Sequence, residues 1–333
     1  MSHSMSHPIV KIVVVIPCYR VKAQILDVLE RIGPEVVQVY VIDDACPEAS
    51  GQWVQEHCRD TRVRVLWHST NLGVGGAMKT GYAEALRSGA DVVVKIDGDG
   101  QMDPRLIPQF VAPILREQAD YTKGNRFYDL EKIGQMPKLR LFGNALLSLA
   151  AKLSTGYWNL FDITNGYIAI HAKVLQHLPL KKISNRYFFE TDMLFRLNTV
   201  RAVAVDIPMD AIYGDEKSNL KIKKILFEFS KKHLENLCKR IFYNYFLRDM
   251  TVASLELLGG IILIFFGIVF GGVHWLQSIT TGVATPVGTV MLAALPSLIG
   301  LQLLLAFIGF DVANVPRRPV YIDLPNYLTP NKK

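Results

Sequence analysis

Apolar, β-branched runs alternate with helix-like segments from residue 9 to residue 207 of the chain. The runs predict strands at Ile9–Ile16, Val37–Ile42, Val63–Trp67, Asp91–Ile96, Gly166–His171 and Ala202–Ile207. Apolar residues at helical spacing predict helices at Val21–Ile32, Ser50–Cys58, Val74–Arg87, Leu106–Arg116, Leu139–Leu153 and Phe188–Leu197. This alternation is typical of an α/β layered domain with a central, largely parallel sheet.

A different pattern begins later, where the 54 residues from Leu257 to Phe310 contain no Asp, Glu, Lys or Arg. A membrane-spanning helix needs about 20 apolar residues. The segment therefore predicts two transmembrane helices, Leu257–Leu276 and Val287–Phe310, joined by a polar turn. An apolar hairpin buried in a soluble protein is the alternative, but hydrophobicity on all sides over this length favours lipid.

Lys and Arg flank the two predicted spans on both sides and are absent from the turn between them. The positive-inside rule then places both flanks in the cytoplasm, with no signal peptide expected at the N-terminus. We predict a flexible tail (1–8), a cytoplasmic domain (9–215), basic amphipathic juxtamembrane helices (216–250), two transmembrane helices (251–312) and a cytoplasmic C-terminal tail (313–333).

Composition narrows the function classes. Half of the 333 residues are hydrophobic, which excludes a mainly disordered chain, and four scattered cysteines do not form a disulfide framework. The net charge of +7 would suit nucleic acid, but the basic residues before the first span alternate with aromatic residues. That mixture favours a helix on anionic lipid headgroups, so we expect no nucleic-acid partner.

Polar groups follow three of the predicted strands, at Pro17-Cys18-Tyr19, Asp43-Asp44 and Asp97-Gly98-Asp99. Parallel strands gather ligands at their carboxyl ends, so one site is expected to combine all three. Asp97 and Asp99, with a carbonyl oxygen of Gln101, suit Mg²⁺ or Mn²⁺ holding substrate phosphates. Ordinary turn chemistry is the alternative explanation for this motif.

A glycine-rich turn precedes the helix predicted at Val74–Arg87. Met78 stands where a dinucleotide fingerprint would need Gly and where a P-loop would need Gly before Lys79, so neither motif is met. The turn, with Gly73 and Gly76, either presents backbone amides to a phosphate or is only a tight connection. Asp43 and Asp44 either bind a nucleoside or belong to a solvated turn.

In order and spacing, these motifs resemble those of family 2 glycosyltransferases with a GT-A fold. The resemblance rests on Ile16–Tyr19, Val41–Asp44, Asn71–Gly81 and Asp97–Gln101. Within that family the chain is similar to polyprenyl-phosphate glycosyltransferases, such as dolichyl-phosphate mannose synthases and undecaprenyl-phosphate glucosyltransferases, over roughly residues 9 to 310. This narrower likeness rests on Lys123–Arg126, Arg140 with Asn144, Phe161-Asp162 before Asn165–Tyr167, and Lys217-Ser218 ahead of membrane helices.

The chain departs from the family pattern in three places. Arg20-Val21 stands where Asn-Glu is usual, and Ile168 stands where many relatives carry Arg. Lys217-Ser218-Asn219 replaces the common Ser-Lys order. These differences leave the donor sugar open.

The resemblance implies transfer of one sugar, with inversion, from a UDP- or GDP-sugar to a membrane polyprenyl phosphate. It implies nucleotide-sugar contacts at Pro17, Tyr19, Asp43, Asp44, Gly73, Gly76, Asp97, Lys217 and Ser218. It implies an acceptor-phosphate clamp of Arg126, Arg140 and Asn144, and catalytic roles for Asp99, Asp162, Arg126 and Arg140. A phosphomonoester acceptor is already ionised at neutral pH, so positioning by bidentate arginines matters more than a strong base.

Other functions and partners stay open. A glycan-extending transferase would usually need more membrane helices, and a non-catalytic nucleotide-sugar-binding scaffold would more readily have lost the metal-binding pattern. A second copy of the chain is a further candidate partner. We expect an integral membrane protein of a bacterial inner membrane or the endoplasmic reticulum, with its catalytic domain on the cytoplasmic face.

Overall fold

The computed structural model describes residues 10–128, 138–210 and 222–325. Its strands are β1 (Ile12–Cys18), β2 (Val36–Asp43), β3 (Val63–Trp67), β4 (Val92–Lys95), β5 (Tyr121–Asn125), β6 (Ile168–His171) and β7 (Ala204–Pro208). Its helices are α1 (Ile25–Glu30), α2 (Ser50–His57), α3 (Val74–Arg87), α4 (Ile107–Leu115), α5 (Lys138–Thr155), α6 (Ala172–His177), α7 (Phe189–Thr199), α8 (Ile222–Phe242), α9 (Val252–Thr281) and α10 (Val287–Ala313).

The described strands form one sheet in the order β3-β2-β1-β4-β6-β5-β7. β1 pairs in parallel with β2 and β4, β2 with β3, and β5 with β7, while β6 runs antiparallel to both of its neighbours. The predicted fold class, an α/β domain with a largely parallel sheet, is confirmed.

Helices cover both faces of the sheet because its central strands are apolar throughout. Val14 and Ile16 of β1 belong to a buried cluster that includes Ile25 of α1 and Phe110 of α4. On the opposite face α3 packs so closely that a Cβ on Gly81 would lie 2.1 Å from a methyl carbon of Val15. This sandwich holds the carboxyl ends of β1, β2 and β4 in a fixed arrangement.

Some elements differ from the sequence prediction. β5, at Tyr121–Asn125, was not predicted, because its sequence YTKGN is too polar to read as a buried strand, although all five residues are buried. α1 begins at Ile25 rather than near Val21, since Arg20 has a left-handed backbone conformation, with φ of 58°. α6, six residues long, was also missed.

The described residues group into two compact units, one up to Leu237 together with the segment from Pro316, and one from Cys238 to Val315. In the second unit, α9 and α10 have mean hydropathies of 2.4 and 2.2 and are long and apolar enough to cross a membrane. Both predicted spans lie within them. α9 and α10 approach closely at Gly260 and Gly300, where an added Cβ would lie about 3 Å from the other glycine's carbonyl oxygen.

A buried ion pair joins the start of this second unit to its end. Arg240 is only 2% exposed, and its two Nη atoms donate to the carboxylate of Asp311 at 2.6 and 3.0 Å. The hydroxyl of Tyr245 donates to the same carboxylate at 2.6 Å. Three hydrogen bonds on one carboxylate offset the cost of burying the two charges.

The segment that follows the membrane helices packs within the first unit. The buried carboxylate of Asp120 accepts hydrogen bonds from the backbone amides of Val203, Val320 and Tyr321 at 2.7, 2.8 and 2.9 Å. The Tyr321 ring stacks on His171 with a centroid distance of 3.8 Å. The region predicted only as a cytoplasmic tail thus contains a docked segment.

Candidate active site

The three polar strand ends lie side by side at one edge of the sheet. Cys18 at the end of β1 is in register with Asp43 at the end of β2, and Val15 is in register with Lys95. Asp97 follows Lys95 by two residues. The parallel arrangement therefore brings together Pro17, Asp43 and Asp97, as the sequence predicted for a shared site.

Pro17 and Tyr19 flank the carboxyl end of β1. Pro17 is the penultimate residue of the strand, and Tyr19 follows the strand with 42% of its surface exposed. The Arg20 guanidinium lies 5.4 Å from the centre of the Tyr19 ring. An exposed aromatic ring at this edge offers a surface on which a nucleoside base can stack.

The carboxylates of Asp43 and Asp44 are buried and bound to the backbone. Asp43 accepts from the amides of Cys46 and Gly51, both at 2.8 Å, and so holds the loop before α2. Asp44 accepts from the amides of Leu72 and Gly73 at 2.8 and 2.7 Å. Both aspartates organise the loops around the predicted nucleotide site, and their contact with a nucleoside stays a prediction.

His68 and the glycine-rich turn complete this side of the site. Nδ1 of His68 lies 2.7 Å from the Asp44 carboxylate, and Nε2 lies 2.9 Å from the Thr80 hydroxyl. Gly73 has a φ of 86°, which favours glycine, and the amide of Gly76 donates to the Asn185 carbonyl at 3.1 Å. The turn is therefore fixed by its neighbours, and the Gly76 amide already has a protein partner.

The Asp97–Gln101 turn contains the predicted metal ligands. Oδ1 of Asp97 accepts from the Lys95 ammonium at 2.7 Å, and Oδ1 of Asp99 accepts from the Gln101 amide at 3.0 Å. Gly100, with a φ of 78°, allows the chain to turn between the two carboxylates and Gln101. The Asp97 side chain is 29% exposed, so it combines a buried partner with access from outside.

These residues fit a divalent cation that is shared with a phosphorylated substrate. Two carboxylates spaced two residues apart provide hard oxygen ligands, which Mg²⁺ and Mn²⁺ prefer. No group of three or more His, Cys, Asp or Glu side chains with metal-binding geometry occurs within residues 10–128, 138–210 and 222–325. A cation at this turn would therefore depend on substrate phosphates for its remaining ligands.

Lys95 and Glu190 were missed by the sequence analysis and lie directly behind Asp97. Lys95 is 1% exposed, and its Nζ lies 3.6 Å from a carboxylate oxygen of Glu190 and 3.0 Å from the Gly166 carbonyl oxygen. Burial opposes the charge of Lys95, but the carboxylates of Asp97 and Glu190 outweigh it and raise the pKa of Lys95. A lysine within an otherwise apolar strand was the available signal.

Arg126 and Asp162, predicted as an acceptor clamp and a catalytic carboxylate, bind each other. Nε and Nη2 of Arg126 donate to the two Asp162 oxygens at 2.7 and 3.0 Å. The Asp162 side chain is 1% exposed and that of Arg126 is 32% exposed. Asn165 also donates to Asp162, at 3.2 Å. The pair fixes the guanidinium plane of Arg126, which is what bidentate recognition of a phosphate requires.

A second buried lysine supports the loop that contains Asp162. Lys123 of β5 is fully buried, and its ammonium donates to the Asn165 carbonyl oxygen. Burial lowers the pKa of Lys123 to about 8. Burial also raises the pKa of the neighbouring Asp206 carboxyl, to about 6. The sequence patterns predicted no individual role for Lys123 or Asp206.

The side chains of four predicted site residues lie outside the part of the chain that the structure describes. Arg140 and Asn144 belong to α5, and their side chains lie outside the described part of the chain. Lys217 and Ser218 fall between residues 211 and 221, which are also outside it. Their roles stay predictions.

The chain is similar in sequence to known glycosyltransferases. The sequence model of the family described as Glycosyl transferase family 2 matches residues 13–178. The chain is 32% identical to the undecaprenyl-phosphate mannosyltransferase of Micrococcus luteus over 203 residues, covering 60% of this chain and 82% of that protein. It is 30% identical to the UDP-N-acetylglucosamine–dolichyl-phosphate N-acetylglucosaminyltransferase of Methanococcus voltae, covering 46% of this chain and 61% of that protein.

Solved structures show the same fold. Glucosyl-3-phosphoglycerate synthase from Mycobacterium tuberculosis, in complex with Mn²⁺, UDP-glucose and phosphoglyceric acid, superposes with a TM-score of 0.51 at 19% identity. The match covers 69% of this chain and 79% of that chain. At this identity the likeness concerns the fold alone.

Proposed function

Because the chain belongs to glycosyl transferase family 2, we propose that it transfers one sugar from a UDP- or GDP-linked donor to a membrane polyprenyl phosphate. The proposal depends mainly on two features that occur together in one chain. A domain similar to polyprenyl- and dolichyl-phosphate glycosyltransferases is followed by two helices that can cross a membrane. The product would be a polyprenyl-phosphate sugar with the anomeric configuration inverted.

The donor nucleotide is proposed to bind along the carboxyl ends of β2, β1 and β4. Tyr19 offers an exposed ring for the base, and the loops held by Asp43 and Asp44 form the floor. Asp97, Asp99 and Gln101 are the residues that would hold Mg²⁺ or Mn²⁺. When bound, such a cation supplies Lewis-acid stabilisation of the charge that develops on the departing nucleoside diphosphate.

The acceptor needs little activation because a phosphomonoester with a second pKa of about 6 is mostly ionised at neutral pH. Arg126 is proposed to bind this phosphate, with Asp162 orienting its guanidinium from the buried side. Arg140 and Asn144 are proposed as further phosphate ligands. Holding the phosphate oxygen close to the anomeric carbon then provides the main catalytic contribution, by proximity and orientation.

The membrane hairpin is proposed to keep this site at the surface where the lipid phosphate lies. Residues up to Leu237 and residues from Pro316 belong to one compact unit, which supports an even number of membrane crossings between them. With the basic flanks, this favours a catalytic domain on the cytoplasmic face. A reporter inserted near Thr280 should then be accessible only from the other side, and accessibility from the cytoplasm would contradict the hairpin.

The direct test of the activity is product formation. Membranes containing the protein are incubated with polyprenyl phosphate and a panel of radiolabelled UDP- and GDP-sugars, and the lipid fraction is extracted. The proposal expects label in the lipid with at least one donor, released by mild acid as the free sugar. Label that appears only in water-soluble or long-chain glycan products would contradict it.

The metal and clamp assignments are tested with matched variants. Asp99→Ala should lower turnover by several orders of magnitude and EDTA should do the same to the wild type, whereas Glu56→Ala, at an exposed position on α2, should have little effect. Arg126→Ala removes charge-assisted hydrogen bonds of about 1.5–3 kcal/mol, so acceptor kcat/KM should fall roughly 10- to 150-fold. Arg87→Ala, at a 69% exposed side chain, is the matched control. Normal acceptor kinetics in Arg126→Ala would refute the clamp.

A further inference from the structure

A cleft with aromatic walls opens beside the Arg126–Asp162 pair, entirely within the first compact unit. Its lining includes the aromatic side chains of Phe127, Phe161, Tyr187 and Phe229 and the polar side chains of Asp162, Glu190 and His233. We call it the aromatic cleft. It brings together residues from α5, α7 and the basic helix α8, for which only a place on the lipid surface was predicted.

His233 is the unexplained residue of this cleft. It is 7% exposed, and its Nδ1 lies 2.8 Å from the hydroxyl of Ser154 on α5. Its Nε2 is buried and has no hydrogen-bond partner within the described residues. Phe188 packs edge-on against the ring with a centroid distance of 5.0 Å. Buried polar atoms in folded proteins are almost always hydrogen-bonded, so a missing partner at Nε2 points to a ligand.

The state of His233 restricts the chemistry of that ligand. Burial lowers the pKa of His233 to about 4, so the imidazole is neutral at physiological pH. A neutral ring offers one donor or one acceptor at Nε2 and no positive charge for a phosphate. The carboxylates of Asp162 and Glu190 line the same cleft, and Arg126 and Lys95 already compensate their charges.

The remaining lining favours a sugar over a hydrocarbon chain. A prenyl chain has no polar atom to satisfy Nε2 of His233. A pyranose presents hydroxyl groups around its rim and apolar C–H faces, which match carboxylates and aromatic rings respectively. Glu190 also contacts Lys95 and so lies next to Asp97, on the side where the donor diphosphate is expected.

We propose that the aromatic cleft binds the sugar of the nucleotide-sugar donor and that His233 hydrogen-bonds one of its hydroxyl groups through Nε2. This rests on the proposed glycosyl transfer and adds to it the residues that select the sugar. Ser154 acts as a positioning residue, because its hydroxyl fixes the imidazole through Nδ1. His233 makes α8 part of the donor site.

The test separates the sugar from the nucleotide. Calorimetry on the full-length protein in detergent measures binding of the UDP- or GDP-sugar that the protein uses and of the corresponding nucleoside diphosphate alone. His233→Leu should weaken binding of the nucleotide sugar roughly 5- to 150-fold, the range for one lost buried hydrogen bond, and change the diphosphate affinity less than about threefold. His233→Gln, which retains an amide donor and acceptor, should recover part of the loss. His57→Leu, at an exposed histidine of α2, should match the wild type.

Other outcomes would overturn the proposal. Equal loss of nucleotide-sugar and diphosphate binding would place His233 at the nucleotide, and a changed KM for polyprenyl phosphate alone would assign the cleft to the acceptor. Unchanged binding in every variant would leave His233 as a structural residue only. If His233→Leu does not fold, Ser154→Ala decides, because it leaves the cleft lining intact and should give the same selective loss at smaller size. Because donor binding is measured without acceptor, this test of the cleft does not depend on whether the protein forms a glycolipid.

Discussion

Lys123 gives a quantitative test of the charge network beneath the site. It is fully buried on β5, and its ammonium donates to the Asn165 carbonyl oxygen in the loop that contains Asp162. Burial lowers its pKa from 10.5 to about 8. We expect Lys123→Met to remove a characteristic pH dependence of stability that the wild type has in the alkaline range.

The sign follows from proton linkage. Between pH 8 and 10.5 the unfolded lysine binds more protons than the folded one, so stability from this group rises as pH increases. The full difference, about 2.5 pH units at 1.36 kcal/mol each, is of order 3 kcal/mol. At pH 9.5 about 2 kcal/mol of it is realised, which corresponds to roughly 4–8 °C in Tm for a domain of this size.

The assay compares the thermal unfolding of wild type and Lys123→Met between pH 7 and pH 9.5. Other groups also titrate over this range, so the informative quantity is the difference between the two proteins. The wild type should gain about 4–8 °C relative to the variant on going from pH 7 to pH 9.5. Parallel Tm curves for the two proteins would refute the buried ammonium at Lys123. Lys173→Met, at a lysine outside this network, should run parallel to the wild type.

Two further predictions concern neighbouring contacts. Gly166→Ala would place a methyl group 2.5 Å from the Lys95 ammonium and so displace the ammonium. We therefore expect Mn²⁺, added in the presence of nucleotide, to change the Tm of this variant less than it changes the Tm of the wild type. Gly143→Ala, where nothing lies within 4 Å of the added methyl group, is the control. Asp120→Asn places an N–H group against the backbone amides that Asp120 binds. Amide hydrogen exchange at Tyr321 should then accelerate roughly 10- to 150-fold, while donor turnover stays normal. Unchanged protection of the Tyr321 amide would contradict the docked segment.

The sheet was predictable where its strands have a uniform pattern. β1, β2 and β4 are largely apolar and rich in β-branched residues, and their bounds lie within three residues of the predicted ones. β5 fails this test because its buried face includes Lys123, Gly124 and Asn125. Polar residues are placed inside a sheet only where tertiary partners satisfy them, and those partners, such as the Asn165 carbonyl, are far away in sequence.

The candidate site was predictable in its location but less so in its contacts. Strand ends indicated where Asp43, Asp44 and Asp97 would gather, since that follows from parallel topology. Whether a carboxylate faces a ligand or a loop amide depends on the loop conformation, and local sequence does not encode it. The amides of Gly51 and Gly73 occupy the oxygens of Asp43 and Asp44 for that reason.

Three of the residues without a predicted role share one property. Lys95, Lys123 and Asp206 are ionisable residues within short strands, and each has a buried or largely buried side chain next to the proposed site. An uncompensated charge inside a sheet is too costly to persist, so such a residue implies an opposite charge or a complementary hydrogen-bonding group close by. For Lys95 the partners are Asp97, Glu190 and the Gly166 carbonyl oxygen, and for Lys123 the partner is the Asn165 carbonyl oxygen. Asp206 accepts from the Phe161 amide and the Asn125 side chain. A charged residue inside a buried strand therefore points toward the residues of the proposed site, here Asp97 and the loop that contains Asp162.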